Sequence, residues 1–355
     1  VKKLQKSTNS LISIVGVFLA TMIFGALIIL MIGKDPLLAY SAMFSYALGD
    51  VSAIANLMNR SMALILSALC AAVASNAGIY NLGGKGQIEL GAIAAAVVGY
   101  KLVGLPLYIH LPLCILAAVV MGILGAAIPG YMRVKWKVDE VISTIMLNSV
   151  FFMFTSYLAN YPFRDVTRWS GTTPPILDSA TLPYLVKSID LRSGIIFALV
   201  AAAIIYWILN YTNQGYRWKM IGLNPRFAQY GGVNVGKDQM KAMVLSGFLS
   251  GLAGAVLVCG SNYRFWEAIA GPYGWDGVLI AMLAKNNPIA IVAVSFVFSI
   301  FKNGALGMEQ VASVPSDLTG VLLAALILFI TGREFVSILF RRRKHVILVD
   351  EEVKQ

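Results

Sequence analysis

The stretch Thr212–Lys241, TNQGYRWKMIGLNPRFAQYGGVNVGKDQMK, separates two long apolar runs and decides how the rest of the chain is read. Within it, Asn224-Pro225 supplies a helix N-cap followed by a proline at the first helical position, where its missing N–H does no harm and its φ is already helical. Gly231 and Gly232 are expected to stop that helix by taking left-handed backbone. A helix of about six residues is only about 9 Å long, far below the length that is stable alone in water. It has to lean on something. Phe227 and Tyr230 lie three apart on one face, as knobs for a groove, while Arg217, Lys219, Arg226, Lys237 and Lys241 mark the loop as cytoplasmic by the positive-inside tendency. The reading is a short cytoplasmic docking helix; a loop helix packed on its own chain is the alternative.

Working outward, 58% of the 355 residues are hydrophobic and only 13% charged, with a mean hydropathy of +0.76. An ordinary soluble domain carries about 25% charged residues, so the chain is read as a polytopic membrane protein, all-α in class. The net charge of +11 invites a nucleic-acid reading, but the basic residues sit in short loops flanking apolar segments, where membrane orientation accounts for them. No nucleic-acid partner is expected. Cys70, Cys114 and Cys259 lie inside apolar runs without metal-ligand spacing and read as small buried hydrophobes.

From the start, Lys2, Lys3 and Lys6 precede a span from Leu11 to about Ile32, read as a retained anchor with a cytoplasmic N-terminus. Gly33 to Asn56 reads as an outer loop with an interfacial helix. Spans follow at about Leu57 to Gly78, Ile88 to Leu102, Leu111 to Tyr131, Val141 to Ala159, Gly194 to Asn210 and Ala242 to Gly260. The segment SNAGIYNLGGKGQIE interrupts the second and third, with Gly78, Gly83, Gly84 and Gly86 expected to break the helix and Asn76, Asn81, Gln87 and Glu89 bringing polar groups into an apolar stack. Non-helical backbone at membrane depth survives only where protein or water satisfies it. A cavity or gate lining and a Gly-rich turn are the two readings. Asn148 in the fifth span is either helix glue or a solute contact. Residues 161–193 form an external loop, a docking surface or a simple cover. Gly247, Gly251 and Gly254 let a neighbouring helix approach closely.

After that, Asn262, Phe265, Trp266, Glu267, Trp275 and Asp276 make an aromatic and acidic cluster expected on the outer side, suited to a polar ring-shaped solute or to interfacial anchoring. Gly277 to Ala284 is too short to span, and Lys285-Asn286-Asn287-Pro288 separates it from Ile289 to Phe301. Counting these as two half-spans, with a last span from Leu318 to Ile330, gives about ten transmembrane helices, both termini cytoplasmic, and most of the 28 basic residues inside. Residues 1–340 would then be one transmembrane domain, with the coupling loop at 212–241, and 341–355 a cytoplasmic tail.

No Walker A sequence, His-Glu-x-x-His or nucleophile elbow is present, and His110 and His345 stand alone. No catalytic residue, metal or cofactor is expected. Deep ionisable residues are sparse, which argues against an ion-coupled secondary carrier, kept as the alternative. A docking helix on a bundle without its own energy source implies a partner ATPase.

Three segments carry a resemblance: Ala77 through Asn81-Leu82-Gly83-Gly84-Lys85-Gly86 to Gln87, Val138-Asp139-Glu140 to Asn148, and Gly222-Leu223-Asn224-Pro225 through Tyr230-Gly231-Gly232-Val233. Ser246-Gly247 to Ala255 and Gly274-Trp275-Asp276-Gly277 with Asn286-Asn287-Pro288 continue it, over about 33–331. In that joint order they resemble the permease subunits of bacterial ABC importers for nucleosides and simple sugars, the nucleoside branch more than the sugar branch. The resemblance implies a multi-pass protein of the bacterial cytoplasmic membrane that works with a tandem ATPase, a second permease and an extracytoplasmic binding protein. It implies that Gly222, Asn224, Pro225, Phe227, Tyr230, Gly231 and Gly232 belong to the coupling helix and its flanks. The solute is expected to pass Asn81, Gln87, Glu89, Asn148, Phe265, Trp266, Trp275 and Asp276. Two positions depart from the family pattern: Lys85 stands where relatives commonly carry an acidic residue, and Trp275 where phenylalanine is more usual.

Overall fold

The computed structural model describes residues 2–168 and 171–329. Among them are thirteen α-helices and one two-stranded hairpin, in two compact units. Six helices are long and apolar enough to cross a membrane. The predicted tail 341–355 lies outside the described residues.

The smaller unit comprises residues 1–53 and 300–355. It contains α1 (Lys2–Met31), α2 (Pro36–Leu48), the end of α12 (Pro288–Ala312) and α13 (Leu318–Phe329). Asp35-Pro36 starts α2 as a cap and first-turn proline should: the Asp35 carboxylate accepts from Leu37 N–H at 2.8 Å. The Tyr40 hydroxyl donates to the Met22 carbonyl at 2.6 Å, tying α2 to α1. Gly304 and Gly307 lie against Met43, Ala42 and Tyr46, so two helices approach at backbone distance.

The larger unit, Ile54–Ser299, holds the rest. In order come α3 (Val51–Asn76), α4 (Gly84–Lys101), α5 (Leu107–Trp136), α6 (Glu140–Asn160), the hairpin β1 (Tyr184–Val186) and β2 (Leu191–Arg192), α7 (Gly194–Tyr211), α8 (Asn213–Leu223), α9 (Pro225–Tyr230), α10 (Val235–Val256) and α11 (Tyr273–Leu283). The most apolar windows of α3 and α10 are 83% buried and that of α6 only 28%, so α3 and α10 are central and α6 peripheral. The glycines predicted to permit close packing do so: Gly247, Gly251 and Gly254 of α10 face Gly122 of α5 and Gly91 of α4, backbone to backbone.

Several boundaries differ from expectation. α3 starts at Val51 and not Leu57, since Asp50 caps it through Ala53 N–H. The coupling loop is more helical than predicted: Thr212 caps α8 through Gly215 N–H, and Asn234 caps α10 through Lys237 N–H, so α10 begins seven residues before Ala242. Gly84 and Gly86 are helical and do not break the chain; the break is confined to Ala77–Gly83. Gly86 serves close approach instead, because a Cβ there would sit 2.9 Å from the Phe151 ring and 3.0 Å from Asn148 Oδ1. The segment from Pro288 is no half-span, since α12 runs for 25 residues, about 37 Å at 1.5 Å per residue.

Candidate translocation pathway and coupling surface

At the end of α3 the chain turns at Gly78, in left-handed backbone with φ +69°, and re-enters the bundle as an extended strand of residues before α4 begins at Gly84. Extended backbone inside a bundle needs partners. Three amides supply them. Asn148 on α6 donates from Nδ2 to the Leu82 carbonyl at 2.8 Å and accepts at Oδ1 from Gly86 N–H at 2.9 Å, serving both sides of the break. Asn81 Oδ1 accepts from Gly83 N–H at 3.0 Å and from Gln87 Nε2 at 3.1 Å, while its Nδ2 donates to Ser246 Oγ at 2.7 Å. The Ser250 hydroxyl donates to Gln87 Oε1 at 3.2 Å. This network joins α4, α6 and α10 to the broken segment. Asn81, Gln87 and Asn148 are thus brought together, with their polar atoms engaged by one another and by backbone.

Beside the break lies a cleft of about 310 Å³, lined by Ser75, Tyr80, Asn81, Val141, Trp275, Met282, Asn286 and smaller apolar residues. Tyr80 and Trp275 are each about half exposed, and Asn286 Nδ2 donates to Ser75 Oγ at 2.8 Å. An aromatic pair with amide edges is the composition that holds a planar heterocycle. From the cleft an exposed apolar stripe runs along α6 through Ile142, Met146, Val150, Met153 and Tyr157.

The aromatic and acidic cluster predicted as one patch divides in two. Phe265 is fully buried, exchanging hydrogen bonds with Thr173 at 3.0 and 3.1 Å, and Trp266 bridges to Thr172. Glu267 accepts from the Ser156 hydroxyl at 2.7 Å, near the last turn of α6. These residues fasten the 161–193 loop to the bundle. Trp275 and Asp276 belong to the first turns of α11, beside α3, where Ser67 Oγ donates to the Tyr273 carbonyl at 2.8 Å; Asp276 is buried. The division follows from Pro272 and Gly271, which start a new helix between the two groups. Glu89 is completely buried on α4, and neither carboxylate oxygen has a hydrogen-bond partner among the described residues.

In the loop 161–193, Asp165 is held below the usual carboxylate range, chiefly by hydrogen bonds from the Thr167 hydroxyl and N–H, and its carboxylate faces Arg264 at 3.7 Å. The Arg192 guanidinium stacks on the Tyr184 ring at 3.5 Å and donates to the Leu182 carbonyl. The described residues of the loop are therefore fastened to the end of the bundle away from α9.

At the α9 end, the local chemistry runs as the sequence predicts, with one change. Asn224 Oδ1 accepts from Phe227 N–H at 3.1 Å, and Pro225 opens the helix. Only Gly232 is left-handed, at φ +81°, whereas Gly231 has φ −76°. Val233 N–H reaching the Ala228 carbonyl and Gly232 N–H reaching that of Gln229 form a Schellman end, which needs a single left-handed residue. The helix is inside-out. Ala228 is the buried residue, while Phe227 is 65% and Tyr230 93% exposed, joined by Leu223 at 88%. The aromatics of α9 therefore form an exposed apolar surface, while the helix rests on its own chain through Ala228. α8 anchors this surface: Trp218 is buried and donates from Nε1 to the Asp238 carbonyl at 2.8 Å, and Gln214 holds the Asp238 carboxylate at 2.9 Å. Gly222 touches the turn at Gly78, with Cα positioned 3.2 Å from where a Cβ on Gly78 would stand.

Sequence reasoning missed Tyr80, Asn286 and Leu223 as surface and cleft residues, and missed α8. A Thr212 cap with Trp218 and Ile221 at helical spacing was the available signal for α8.

The chain is thus a helical membrane bundle with a broken, amide-braced segment and an exposed aromatic helix at one end. The profile of the family described as branched-chain amino acid transport system, permease component, matches residues 53–331. The chain belongs to that family and is a permease of an ABC importer, a transport subunit that does not itself catalyse a reaction. It is similar to the guanosine ABC transporter permease protein NupP of Bacillus subtilis, at 34% identity over 87% of this chain and 89% of that one. It is similar also to the nucleoside ABC transporter permease protein NupB of Lactococcus lactis, at 31% over 97% and 96%. A third relative is the glucose ABC transporter permease protein TsgB13 of Haloferax volcanii, at 30% over 92% and 89%.

Proposed function

We propose that the chain carries nucleosides across a bacterial cytoplasmic membrane as one of two permease subunits, by alternating access. The observation that carries the substrate class is the cleft, where Trp275 and Tyr80 offer faces for a planar base beside the polar Asn286–Ser75 pair. Two relatives bearing nucleoside names support the same class. The inside-out face of Phe227, Tyr230 and Leu223 would dock in a groove of an ATPase with tandem nucleotide-binding domains, and a binding protein would deliver solute to the end covered by the 161–193 loop.

In this arrangement residues 1–340 form the membrane domain, 341–355 a tail, both termini are cytoplasmic, and ten helices enter the membrane: the six long ones with α1, α4, α13 and the short α11. The pathway runs past Asn81, Gln87, Glu89, Asn148, Trp275 and Asp276, with Phe265 and Trp266 holding its cover. ATP-driven closure moves α9, and through Gly222 and Gly78 the motion reaches the break; coupling requires that α9 contact the ATPase differently in its two states.

The test is uptake of radiolabelled guanosine, uridine, ribose and glucose by membrane vesicles containing this chain with its partner subunits. Nucleoside uptake that needs ATP supports the reading. Uptake confined to the sugars selects the second reading, a simple-sugar permease, which the glucose-named relative favours.

A further inference from the structure

We propose that Glu89, on α4, is the group that receives the hydroxyls of the solute's sugar. The proposal rests on the nucleoside reading and extends it. Glu89 is fully buried and neither of its carboxyl oxygens has a hydrogen-bond partner among the described residues, whereas the neighbouring Asn81, Gln87 and Asn148 amides are paired; an unpartnered buried carboxyl group is costly. A group kept in that condition is suited to a partner that arrives from outside the chain.

Its surroundings say what kind. Lys85, one helical turn earlier, lies within electrostatic reach, yet its ammonium sits over the Phe152 ring at 5.5 Å and forms no ion pair with Glu89 among the described residues. Glu267, which the Ser156 hydroxyl holds at 2.7 Å, is the other charge acting on the site. One cation and two carboxylates disfavour an anionic solute, which sets nucleotides apart from nucleosides. A carboxyl group with both oxygens free can engage two adjacent hydroxyls at once, and the vicinal diol of a ribose presents such a pair.

Position agrees. Gly274, which precedes the cleft residue Trp275, packs on the Lys85 backbone, with a Cβ there only 2.6 Å from Lys85 N. From Lys85 to Glu89 the helix rises about 6 Å, one turn further along α4. Asn81, Lys85 and Glu89 thus lie in succession from the cleft toward the covered end. Glu89 is closed from solvent in this conformation, and alternating access is what would open it.

The experiment measures maximal uptake rates, at saturating solute, of guanosine and 2′,3′-dideoxyguanosine for the complete transporter and for Glu89→Leu and Glu89→Gln. The binding protein is the same throughout, so a changed ratio between variants arises in the permease. The unaltered transporter should move the dideoxy compound about tenfold more slowly or worse, the loss expected for two hydrogen bonds. Glu89→Leu should bring the two rates within about threefold by slowing guanosine, and Glu89→Gln, which keeps one acceptor oxygen, should fall between. An unchanged ratio in both variants overturns the proposal, as does equal transport of the two compounds by the unaltered protein. If Glu89→Leu fails to reach the membrane, the Gln variant decides alone. Failure of the nucleoside reading shows separately, as no guanosine uptake by the unaltered transporter; the diol assignment then falls with it.

Discussion

Gly222 of the loop between membrane helices and Gly78 at the mouth of the broken segment meet backbone to backbone, with room for a side chain on neither. A Cβ on Gly222 would stand 2.6 Å from the Asn76 carbonyl oxygen, and one on Gly78 would stand 3.2 Å from Gly222 Cα. Displacement of α9 therefore bears on the turn that starts the re-entrant segment, with no compressible side chain between them.

Gly222→Ala should accordingly uncouple the two. Uptake is expected to fall roughly tenfold or more, since small misplacements far from a reacting site are amplified, while membrane insertion and ATPase binding persist. Transport assays with parallel co-purification of the ATPase check this.

Removing Tyr230 should act on the other side of the junction. Tyr230→Ala deletes a side chain that is 93% exposed and makes no contribution to the chain's own core, so protein level should be unchanged while ATPase association and uptake are lost. Asn224→Ala, which removes only the cap, costs about 1 kcal/mol of helix stability and should reduce uptake severalfold without abolishing it. The order of these effects is measured by pull-down and initial uptake rates.

Asn148→Leu tests the support of the break. It leaves Gly86 N–H and the Leu82 carbonyl without partners, each worth about 1–3 kcal/mol when buried. Thermal unfolding of the purified protein in detergent should shift to clearly lower temperature. An unshifted transition would mean that water takes over both bonds.

Much of this was readable from residues whose local chemistry dominates. The Asn224-Pro225 cap and Gly232 act within one or two turns, and the small-residue spacing of the α10 glycines is legible without knowing which helices they meet. What escaped reading depends on contacts across the bundle. Gly84 and Gly86 look like breakers in a linear chain, but the Asn148 amide completes their helix from sixty-odd residues away. Likewise, the proximity of Trp266 and Trp275 in sequence suggested one cluster, which a new helix start at Pro272 separates. Tyr80 was silent because an exposed tyrosine in a turn carries no signal until Trp275 and Asn286 are seen across the cleft.

Trp275→Ala should lower nucleoside uptake about five- to hundredfold, the range that stacking on one aromatic contributes per base, and Trp275→Phe should keep most of it. Equal sugar and nucleoside losses in the Ala variant would point to a structural role for the indole.

The central claim is that α9 presents its aromatic face to an energy-supplying partner, and a photo-crosslinker placed at position 230 measures it directly. Upon illumination of the assembled transporter it should attach to the ATPase subunit, with a yield that differs between ATP-bound and nucleotide-free states. Attachment only within the permease chain itself, in both states, would contradict the account.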